Sequence, residues 1–447
     1  MLNITRNIYQ HLDAWKHKSQ RKPLMLRGAR QVGKTFIIKK LGETFTNFIE
    51  INFLENKNLH KIFEKDHFDI EGILSDISGY FSKPIIDQET LIFFDEIQVC
   101  PAAIEALRFF YEKRPNLHIV AAGSLLEFVL SEIPSFGVGR VENLFMHPLT
   151  FYEFLTAQNK LGLIENIKKS TIKNPISEVL HNLCIEEFKK FLLVGGMPEA
   201  VSKFISNNLS YSKAQETIED IIIGYEDDFQ KYRKRVPSDR LRETLRSSCL
   251  QAGKKFIYGH AYLDARSQSV HEALNLLVMS GIVTKIHHSD GNGVPLGSET
   301  DLKKFKTLPL DTGIYQRFAG LKIQDLITIN PEEFINKGAL VETAIGLEII
   351  ANSSPKLRPE LFYWHREAKS SNAELDYLIE SNNQIIPIEV KSSKKGSMVS
   401  LRLFLKEKKK KLGVRLSFEN FGFYDNILVL PVYAVSEIDR VVGEALT

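Results

Sequence analysis

The stretch GARQVGKT, Gly28–Thr35, decides the fold of the first part of the chain. It fits the pattern GxxxxGK[ST] and lies between the apolar segment PLML and the helix-forming segment TFIIKKLG. In this context Gly28 and Gly33 let backbone N–H groups turn inward around phosphate oxygens, and the N-terminus of the next helix adds partial positive charge. The pattern predicts a nucleotide phosphate loop in which Lys34 reaches the β- and γ-phosphates and Thr35 binds Mg²⁺.

Short apolar runs alternate with helix-length segments from Pro23 to about Thr150, namely PLMLRG, FIEINF, LIFFDE, HIVAAG and LFMHPL. This alternation is typical of a parallel α/β sheet. The run LIFFDEIQ places Asp95 and Glu96 at the carboxyl end of a buried strand, where ligands bind in open α/β sheets. We expect Asp95 to hold the Mg²⁺ and Glu96 to orient or deprotonate the attacking water.

Two further polar residues are candidates for the same site, and each has a plain alternative. Ser124 ends the run HIVAAGS, where it is either a sensor between the γ-phosphate and the water or the N-cap of the helix LLEFVL. Arg140 in FGVGRVENL is either an arginine finger supplied to a neighbouring subunit's nucleotide or a solvated surface residue.

The chain changes character after the predicted sheet. Apolar residues recur at helical spacing from Phe151 to Arg235, which predicts a helical lid. Three helix-like segments then precede the strands IVTKIHH and KFKTLPLD, which flank a Gly-rich turn and predict a winged helix-turn-helix. Its recognition helix is Ser267–Ser280, and the residues offered to a nucleic-acid groove are Arg266, Gln268, Ser269 and His271. A protein-contact role for this winged domain stays open.

The C-terminal part is predicted to be an α/β domain, with a helix followed by the strands YWHRE, ELDYLIE and IIPIEVK. The predicted parts are therefore a P-loop core at 1–150, a helical lid at 151–236, a winged-helix-like domain at 237–320 and the last domain at 336–447. The overall fold class is α/β.

The motifs together resemble those of the prokaryotic AAA+ type ATPases whose core is followed by a C-terminal domain long left without a function. The resemblance rests on GARQVGKT, LIFFDEIQ, GSLLEF, GRVENLFMHPLTFYEFL, FLLVGGMPEAV, and GALVETAIGLEI followed by ELDYLIE and IPIEVKSS. It extends over nearly the whole chain. It implies that the core binds ATP and that the C-terminal domain has a nuclease-like fold, and it implies no particular substrate.

The segment ELDYLIESNNQIIPIEVK predicts a β-hairpin with acidic residues on one face. Asn favours a two-residue turn because it tolerates positive φ, and a turn at Asn382 and Asn383 places Asp376 opposite Glu389. Directly opposed carboxylates repel each other unless a cation neutralises them. The same register would place Glu374 opposite Lys391, so a simple surface ion pair is the alternative.

An Asp followed by ExK on the next strand, with a Glu on an upstream helix, resembles the PD-(D/E)xK nuclease superfamily. The resemblance implies that Asp376, Glu389 and the upstream Glu342 are ligands of Mg²⁺ or Mn²⁺. It also implies that Lys391 stabilises charge or positions water, with the metal assisting phosphodiester cleavage. A degenerate nuclease fold that is retained for binding is the alternative, and Leu375 before Asp376 departs from the superfamily's Pro.

Composition favours a soluble globular protein, since 43% of the residues are hydrophobic and 25% are charged. No apolar run approaches the roughly 20 residues of a membrane span, so we expect a cytoplasmic protein without a membrane partner. The net charge of +3 is small, but the basic segments KSSKKG and KEKKKK flank the acidic hairpin. They predict either a nucleic-acid surface, with DNA favoured over RNA, or solvated helix faces.

These patterns predict an ATP-binding and ATP-hydrolysing protein that couples its nucleotide state to binding or metal-dependent cleavage of nucleic acid. The alternative is an ATP-dependent switch or adaptor whose inactive nuclease-like domain binds DNA or a protein partner. A homo-oligomer is compatible with both.

Overall fold

The structure, a computed structural model, describes residues 4–64, 69–124, 126–132, 139–232, 235–261, 267–323, 338–366, 372–391 and 398–447. Arg266 and nearly all of the basic segment KSSKKG lie outside the described residues.

The first part of the chain forms a parallel sheet flanked by helices, as the alternating apolar runs predict. The strand order is β2-β3-β4-β1-β5, and every described pairing in this sheet is parallel. Strands β1, β3 and β4 are buried along their whole length because helices cover both faces. The elements are α1 (Ile8–Lys16), β1 (Leu24–Arg27), α2 (Lys34–Gly42), β2 (Asn47–Asn52), α3 (His60–Phe63), α4 (Ile70–Phe81), β3 (Thr90–Asp95), α5 (Pro101–Lys113), β4 (His118–Ala122), α6 (Leu126–Glu132) and β5 (Glu142–Phe145).

The predicted helical region is helical in the structure, and it begins with a capping box at Thr150 and Glu153. Its apolar face packs partly on the C-terminal part of the chain. For example, His181 Nδ1 lies 2.7 Å from the hydroxyl of Tyr433. Buried residues of the helical region and of the C-terminal sheet, such as Phe188 and Val414, also belong to one hydrophobic core. Its helices are α7 (Phe151–Ala157), α8 (Leu161–Lys169), α9 (Glu178–Val194), α10 (Pro198–Ser206) and α11 (Tyr211–Asp228).

The next region contains the hairpin that was predicted to be a wing, and its first strand also pairs with a third strand. Strand β6 pairs antiparallel with β7, and His287 and His288 of β6 pair in parallel with a strand of the C-terminal region. A free-standing wing has no such second pairing, so this hairpin is the edge of a larger sheet. The elements are α12 (Ser238–Leu250), α13 (Ser267–Met279), β6 (Val283–Ser289), β7 (Thr300–Pro309) and α14 (Thr312–Phe318).

The larger sheet has the order β12-β13-β11-β10-β9-β8-β6-β7. The predicted winged-helix-like part (237–320) and the predicted C-terminal part (336–447) therefore both contribute strands to one continuous sheet. Its remaining elements are α15 (Gly338–Asn352), β8 (Phe362–Arg366), β9 (Ala373–Ser381), β10 (Gln384–Lys391), α16 (Val399–Glu407), β11 (Gly413–Ser417), β12 (Gly422–Tyr424), β13 (Ile427–Pro431) and α17 (Ile438–Leu446).

The acidic hairpin has the predicted turn and register. Asn382 and Asn383 adopt φ values of 49° and 59°, the left-handed region that a two-residue hairpin turn requires. Ser381 pairs with Gln384 and Tyr377 with Ile388. Within the described residues, no helix is long and apolar enough to cross a membrane. The three cysteines are buried and unpaired.

Candidate functional site

The phosphate loop connects β1 to α2, and its glycines are required by the path of the chain. Gly28 has a φ of 142°, and a Cβ at this position would overlap the backbone oxygen of Met146. Gly33 has a φ of 99° at the N-cap of α2. Both values are unfavourable for L side chains, so the residue types of the motif follow from backbone geometry as well as from ligand approach.

Lys34 lies at the centre of the loop with its ammonium bound to loop carbonyls. Its Nζ donates to the oxygen of Gly28 at 2.9 Å and to that of Ala29 at 2.7 Å. Burial lowers the pKa of Lys34 to about 8, although the nearby Glu96 and Asp95 oppose this shift. Phosphate oxygens are stronger acceptors than these carbonyls, so the ammonium is placed to exchange partners when a nucleotide enters.

Thr35 and Asp95 form the second part of the site. The Thr35 hydroxyl donates to Asp95 Oδ2 at 3.0 Å, and the other carboxylate oxygen accepts the N–H of Glu96 at 3.0 Å. Burial raises the pKa of Asp95 above its usual value. A hydroxyl and a carboxylate are oxygen ligands that suit Mg²⁺, so these two residues fit the ion that accompanies a nucleotide. Glu96 follows at the rim, with a positive φ of 51°.

Ser124 and Arg140 occupy different surroundings. Ser124 lines a cavity of about 480 Å³ together with Gly28 and Ala29, so it faces the loop side of the sheet. Arg140 is two-fifths exposed, and its Nε lies 2.5 Å from Glu112 Oε1 at the end of α5. The described contacts thus place Ser124 beside the phosphate loop and Arg140 against its own α5.

Several residues that the sequence did not single out hold the loop from outside. Arg6 donates to the oxygen of Val32 at 2.8 Å and forms a buried ion pair with Glu153 at 3.1 Å. The Tyr225 hydroxyl donates to the oxygen of Arg30 at 2.9 Å. These residues belong to the N-terminal segment and to α7 and α11, so only the tertiary structure reveals them.

The β6–β7 hairpin contacts the nucleotide region at both of its ends. Before β6, a Cβ on Gly281 would lie 3.3 Å from the backbone nitrogen of Ala29 in the phosphate loop. After β7, the carboxylate of Asp311 accepts the N–H of Gly196 at 2.5 Å, just ahead of α10. The hairpin therefore lies close to the loop at one end and is hydrogen-bonded at the other to the turn that precedes α10.

The acidic hairpin lies in a cluster of charges that the sequence only partly predicted. Lys306 of β7 is 1% exposed and pairs with Glu342 Oε1 at 3.4 Å and with Glu374. Burial alone would lower the pKa of Lys306, but the carboxylates around it raise the pKa above its usual value. The predicted pairing of Glu374 with Lys391 is replaced by this contact, because β7 brings a buried lysine that the hairpin register does not include.

The other side of the cluster contains the predicted acid pair. Asp376 accepts the N–H of Val390 at 2.7 Å, and Lys391 Nζ lies 2.5 Å from Glu389 Oε1. Glu389 is 6% exposed, and its Oε2 has no hydrogen-bond partner among the described residues. Burial and the Asp376 charge raise the pKa of Glu389.

These acids do not form a ready metal site. Among the described residues, no group of three or more His, Cys, Asp and Glu side chains is arranged to hold a metal ion. The predicted ligands Glu342, Asp376 and Glu389 are near one another, but the ammonium of Lys306 supplies the positive charge there. In this arrangement the residues do not fit Mg²⁺ or Mn²⁺.

Some of the described lysines near the acidic hairpin are hydrogen-bonded within the chain, and others are exposed. In the segment KEKKKK, Lys408 donates to Asn292 Oδ1 at 2.7 Å and Lys410 to the Asn292 oxygen at 2.8 Å, which ties α16 to the turn of the β6–β7 hairpin. Lys406, Lys409 and Lys411 are exposed.

Family models match three stretches of the chain. An AAA domain matches residues 20–155, a domain of unknown function (DUF8612) matches 185–325, and another domain of unknown function (DUF4143) matches 337–435. The first match covers the strands, the phosphate loop and the Asp95–Glu96 pair described above. The protein is therefore an ATPase with a P-loop domain of the AAA type, and it binds ATP.

Solved structures show weak similarity. The Walker-type ATPase PABY2304 of Pyrococcus abyssi is 15% identical, with a TM-score of 0.44, over 70% of this chain and 94% of that chain. Cdc6p from Pyrobaculum aerophilum is 14% identical, with a TM-score of 0.26, over 73% of this chain and 94% of that chain. No curated protein matches the chain.

Proposed function

We propose that this ATPase is a nucleotide-controlled switch whose C-terminal nuclease-like sheet engages nucleic acid in one nucleotide state. The single observation that carries the proposal is the position of the β6–β7 hairpin between the nucleotide region and the C-terminal sheet. Gly281 lies close to Ala29 of the phosphate loop, and the carboxylate of Asp311 accepts the N–H of Gly196 ahead of α10. The same hairpin pairs with β8, so it joins the nucleotide region to the sheet that contains the acidic hairpin.

The geometry of the loop supports the nucleotide chemistry that we assign to it. Lys34 exchanges the carbonyls of Gly28 and Ala29 for phosphate oxygens, and Thr35 with Asp95 holds Mg²⁺. Glu96 orients the attacking water and Ser124 contacts the γ-phosphate. Because loop carbonyls and phosphate oxygens compete for one ammonium, ATP binding changes the loop that Gly281 contacts.

The exposed lysines at the end of α16 are the proposed contact for a phosphate backbone. Lys406, Lys409 and Lys411 would release condensed counterions from nucleic acid, which makes the binding sensitive to salt. The second candidate is the metal-dependent cleavage that the hairpin motif predicts, and the ion pairs of Lys306 with Glu342 and Glu374 count against it.

The test incubates the full chain with labelled single- and double-stranded DNA and with RNA, in Mg²⁺ or Mn²⁺, with no nucleotide, ADP or a non-hydrolysable ATP analogue. Binding that depends on nucleotide and is lost in Lys34→Ala supports the switch. The matched variant Lys406→Glu/Lys409→Glu/Lys411→Glu should lose nucleic-acid binding and keep ATP hydrolysis.

Two other outcomes separate the remaining functions. Cleavage that disappears in Asp376→Ala would establish the nuclease candidate. ATP hydrolysis without binding of any nucleic acid would refute the nucleic-acid proposal and favour an adaptor with a protein partner.

A further inference from the structure

The cavity of about 480 Å³ lies where the P-loop domain, the β6–β7 hairpin and the C-terminal sheet come together. Gly28, Ala29 and Ser124 form part of its wall on the nucleotide side. The residues assigned to phosphate, Mg²⁺ and the attacking water do not line it, namely Lys34, Thr35, Asp95 and Glu96. The cavity is therefore a neighbour of the nucleotide site and is separate from it.

The wall of this cavity is mostly apolar, and its residues come from all three parts of the chain. Pockets of roughly 300–1,000 Å³ with apolar walls are typical of sites for small organic molecules. The transfer of an apolar molecule from water into such surroundings is favourable. The larger apolar residues of the wall include Phe145, Met146, Val278, Met279, Leu347 and Phe362.

The charged side chains that are buried in this wall have partners within the protein. Arg27 Nη1 lies 2.5 Å from Glu127 Oε1. The carboxylates of Asp311 and Glu348 accept backbone N–H groups. A charged molecule entering the cavity would lose its hydration without gaining an unpaired opposite charge, which is unfavourable. The wall therefore favours an uncharged molecule.

Two buried polar atoms of the hairpin belong to residues of this wall and have no hydrogen-bond partner among the described residues. They are Nδ1 of His287 on β6 and Oγ1 of Thr300 on β7. Burial and the nearby Lys285 lower the pKa of His287, so at pH 7 the ring is mostly neutral, with one nitrogen as donor and the other as acceptor. Because a buried polar atom without a partner is unfavourable, a hydroxyl, amide or amine group of a ligand would be stabilised here.

We propose that this cavity binds an uncharged, mainly apolar organic molecule whose hydrogen-bonding group meets His287 and Thr300. The site adjoins the phosphate loop and is distinct from the place that ATP takes. It goes beyond the proposed function, since it requires neither nucleic acid nor a change of nucleotide state.

The first test titrates the full chain, without nucleotide, with N-phenyl-1-naphthylamine, an uncharged fluorescent probe that carries a single N–H group. Its fluorescence, excited where tryptophan does not absorb, should rise to saturation at one probe per chain. Thr284→Trp fills the cavity from β6 and should weaken probe binding by at least about tenfold. Lys303→Trp, at an exposed position of β7 outside the wall, is the matched control and should bind the probe like the wild type. Absence of saturable binding by the wild type would overturn the proposal.

A second filling variant keeps the test decisive if Thr284→Trp fails to fold. Ala351→Phe fills the same cavity from α15 and should also weaken probe binding. Circular dichroism shows whether each variant is folded. Wild-type probe affinity in every folded filling variant would show that the probe binds elsewhere, and it would overturn the assignment to this cavity.

Two comparisons test the chemistry of the site. 8-Anilino-1-naphthalenesulfonate has the same rings as the first probe and adds a sulfonate, so it should bind at least about tenfold more weakly. Equal affinity of the two probes would overturn the preference for an uncharged molecule. His287→Phe keeps a ring and removes its nitrogens, and it should weaken N-phenyl-1-naphthylamine by about fivefold, the contribution of one neutral hydrogen bond. Unchanged affinity would remove His287 from the site.

A last titration separates this site from the nucleotide site and from the proposed function. Saturating ATP with Mg²⁺ should leave the probe bound to the wild type, and complete displacement by ATP would overturn the proposal. Loss of nucleic-acid binding in every nucleotide state would refute the proposed function and leave the probe titration unchanged. Conversely, failure of the probe to bind would leave nucleotide-dependent nucleic-acid binding unaffected.

Discussion

The hydroxyl of Thr35 donates a 3.0 Å hydrogen bond to Asp95 Oδ2, which joins the first turn of α2 to the end of β3. This contact brings together two residues that are 60 positions apart in the chain. Both side chains carry oxygen atoms of the kind that Mg²⁺ prefers, and Asp95 lies near the ammonium of Lys34.

Thr35→Ala should lower ATP turnover by about 100-fold, or ~3 kcal/mol, because the variant loses one ligand of the ion that stabilises the transferring phosphoryl group. Affinity for ATP measured without Mg²⁺ should change little. Steady-state phosphate release measures the turnover, and titration with a fluorescent nucleotide measures the affinity. Thr171→Ala in the helical region is the control, and an equal loss there would contradict a metal-binding role for Thr35.

Lys34→Ala should abolish nucleotide binding, because no other ammonium described in the loop replaces the contact with the β- and γ-phosphates. A titration with a fluorescent ATP analogue checks this expectation. Unchanged affinity would remove the phosphate-loop assignment of Lys34.

The lowered pKa of Lys34 gives a further signature of binding. With a pKa of about 8 in the free protein, the side chain is mostly neutral at about pH 8.5, and bound phosphates favour the charged form. ATP binding at this pH should therefore take up about three-quarters of a proton. Calorimetry in two buffers with different ionisation enthalpies measures the uptake. Lys34→Arg keeps a fixed charge and should show none, whereas a wild type without uptake would contradict the shifted pKa.

The sequence was informative where a local pattern determines a local structure. The parallel strands follow from apolar runs, and the register of β9 with β10 follows from the positive φ that Asn382 and Asn383 accept. The loop glycines follow from the same reasoning, since Gly28 and Gly33 both have positive φ.

The sequence was uninformative where distant segments meet. Lys306 belongs to an ordinary amphipathic strand pattern, and only the pairing of β6 with β8 carries it into the acid cluster. The same is true of Arg6, whose guanidinium contacts Val32 in the phosphate loop and Glu153 in α7, both distant from it in the chain. A periodicity describes which face is buried but does not identify its partner.

The role of Arg140 as an arginine finger stays a prediction. Its described contact is with Glu112 of the same chain. If Arg140 acts on a neighbouring subunit's nucleotide, Arg140→Ala should lower turnover by about 1000-fold and leave ATP affinity unchanged. Glu112→Ala removes the present partner of Arg140 and should not lower turnover. Normal turnover in Arg140→Ala, or an equal loss in Glu112→Ala, would contradict the finger.

Glu348 of α15 is a buried acid whose protonation should contribute to stability between pH 4.5 and about pH 8. It is 3% exposed, its Oε1 accepts the N–H of Phe151 at 2.9 Å, and burial raises its pKa from 4.5 to about 8. Between these two values the unfolded chain ionises while the folded protein stays protonated. The wild type should therefore lose stability as pH rises through this window, by about 1.4 kcal/mol per pH unit from this group.

Glu348→Gln keeps an oxygen acceptor for Phe151 and removes the ionisation. The melting temperatures of the variant and the wild type should be similar near pH 5, and the variant should be the more stable protein near pH 8. Scanning calorimetry at both pH values checks the difference. Glu105→Gln, at an exposed position of α5, should show no such pH-dependent gain. A constant difference between Glu348→Gln and the wild type across the window would show that Glu348 is ionised in the folded protein.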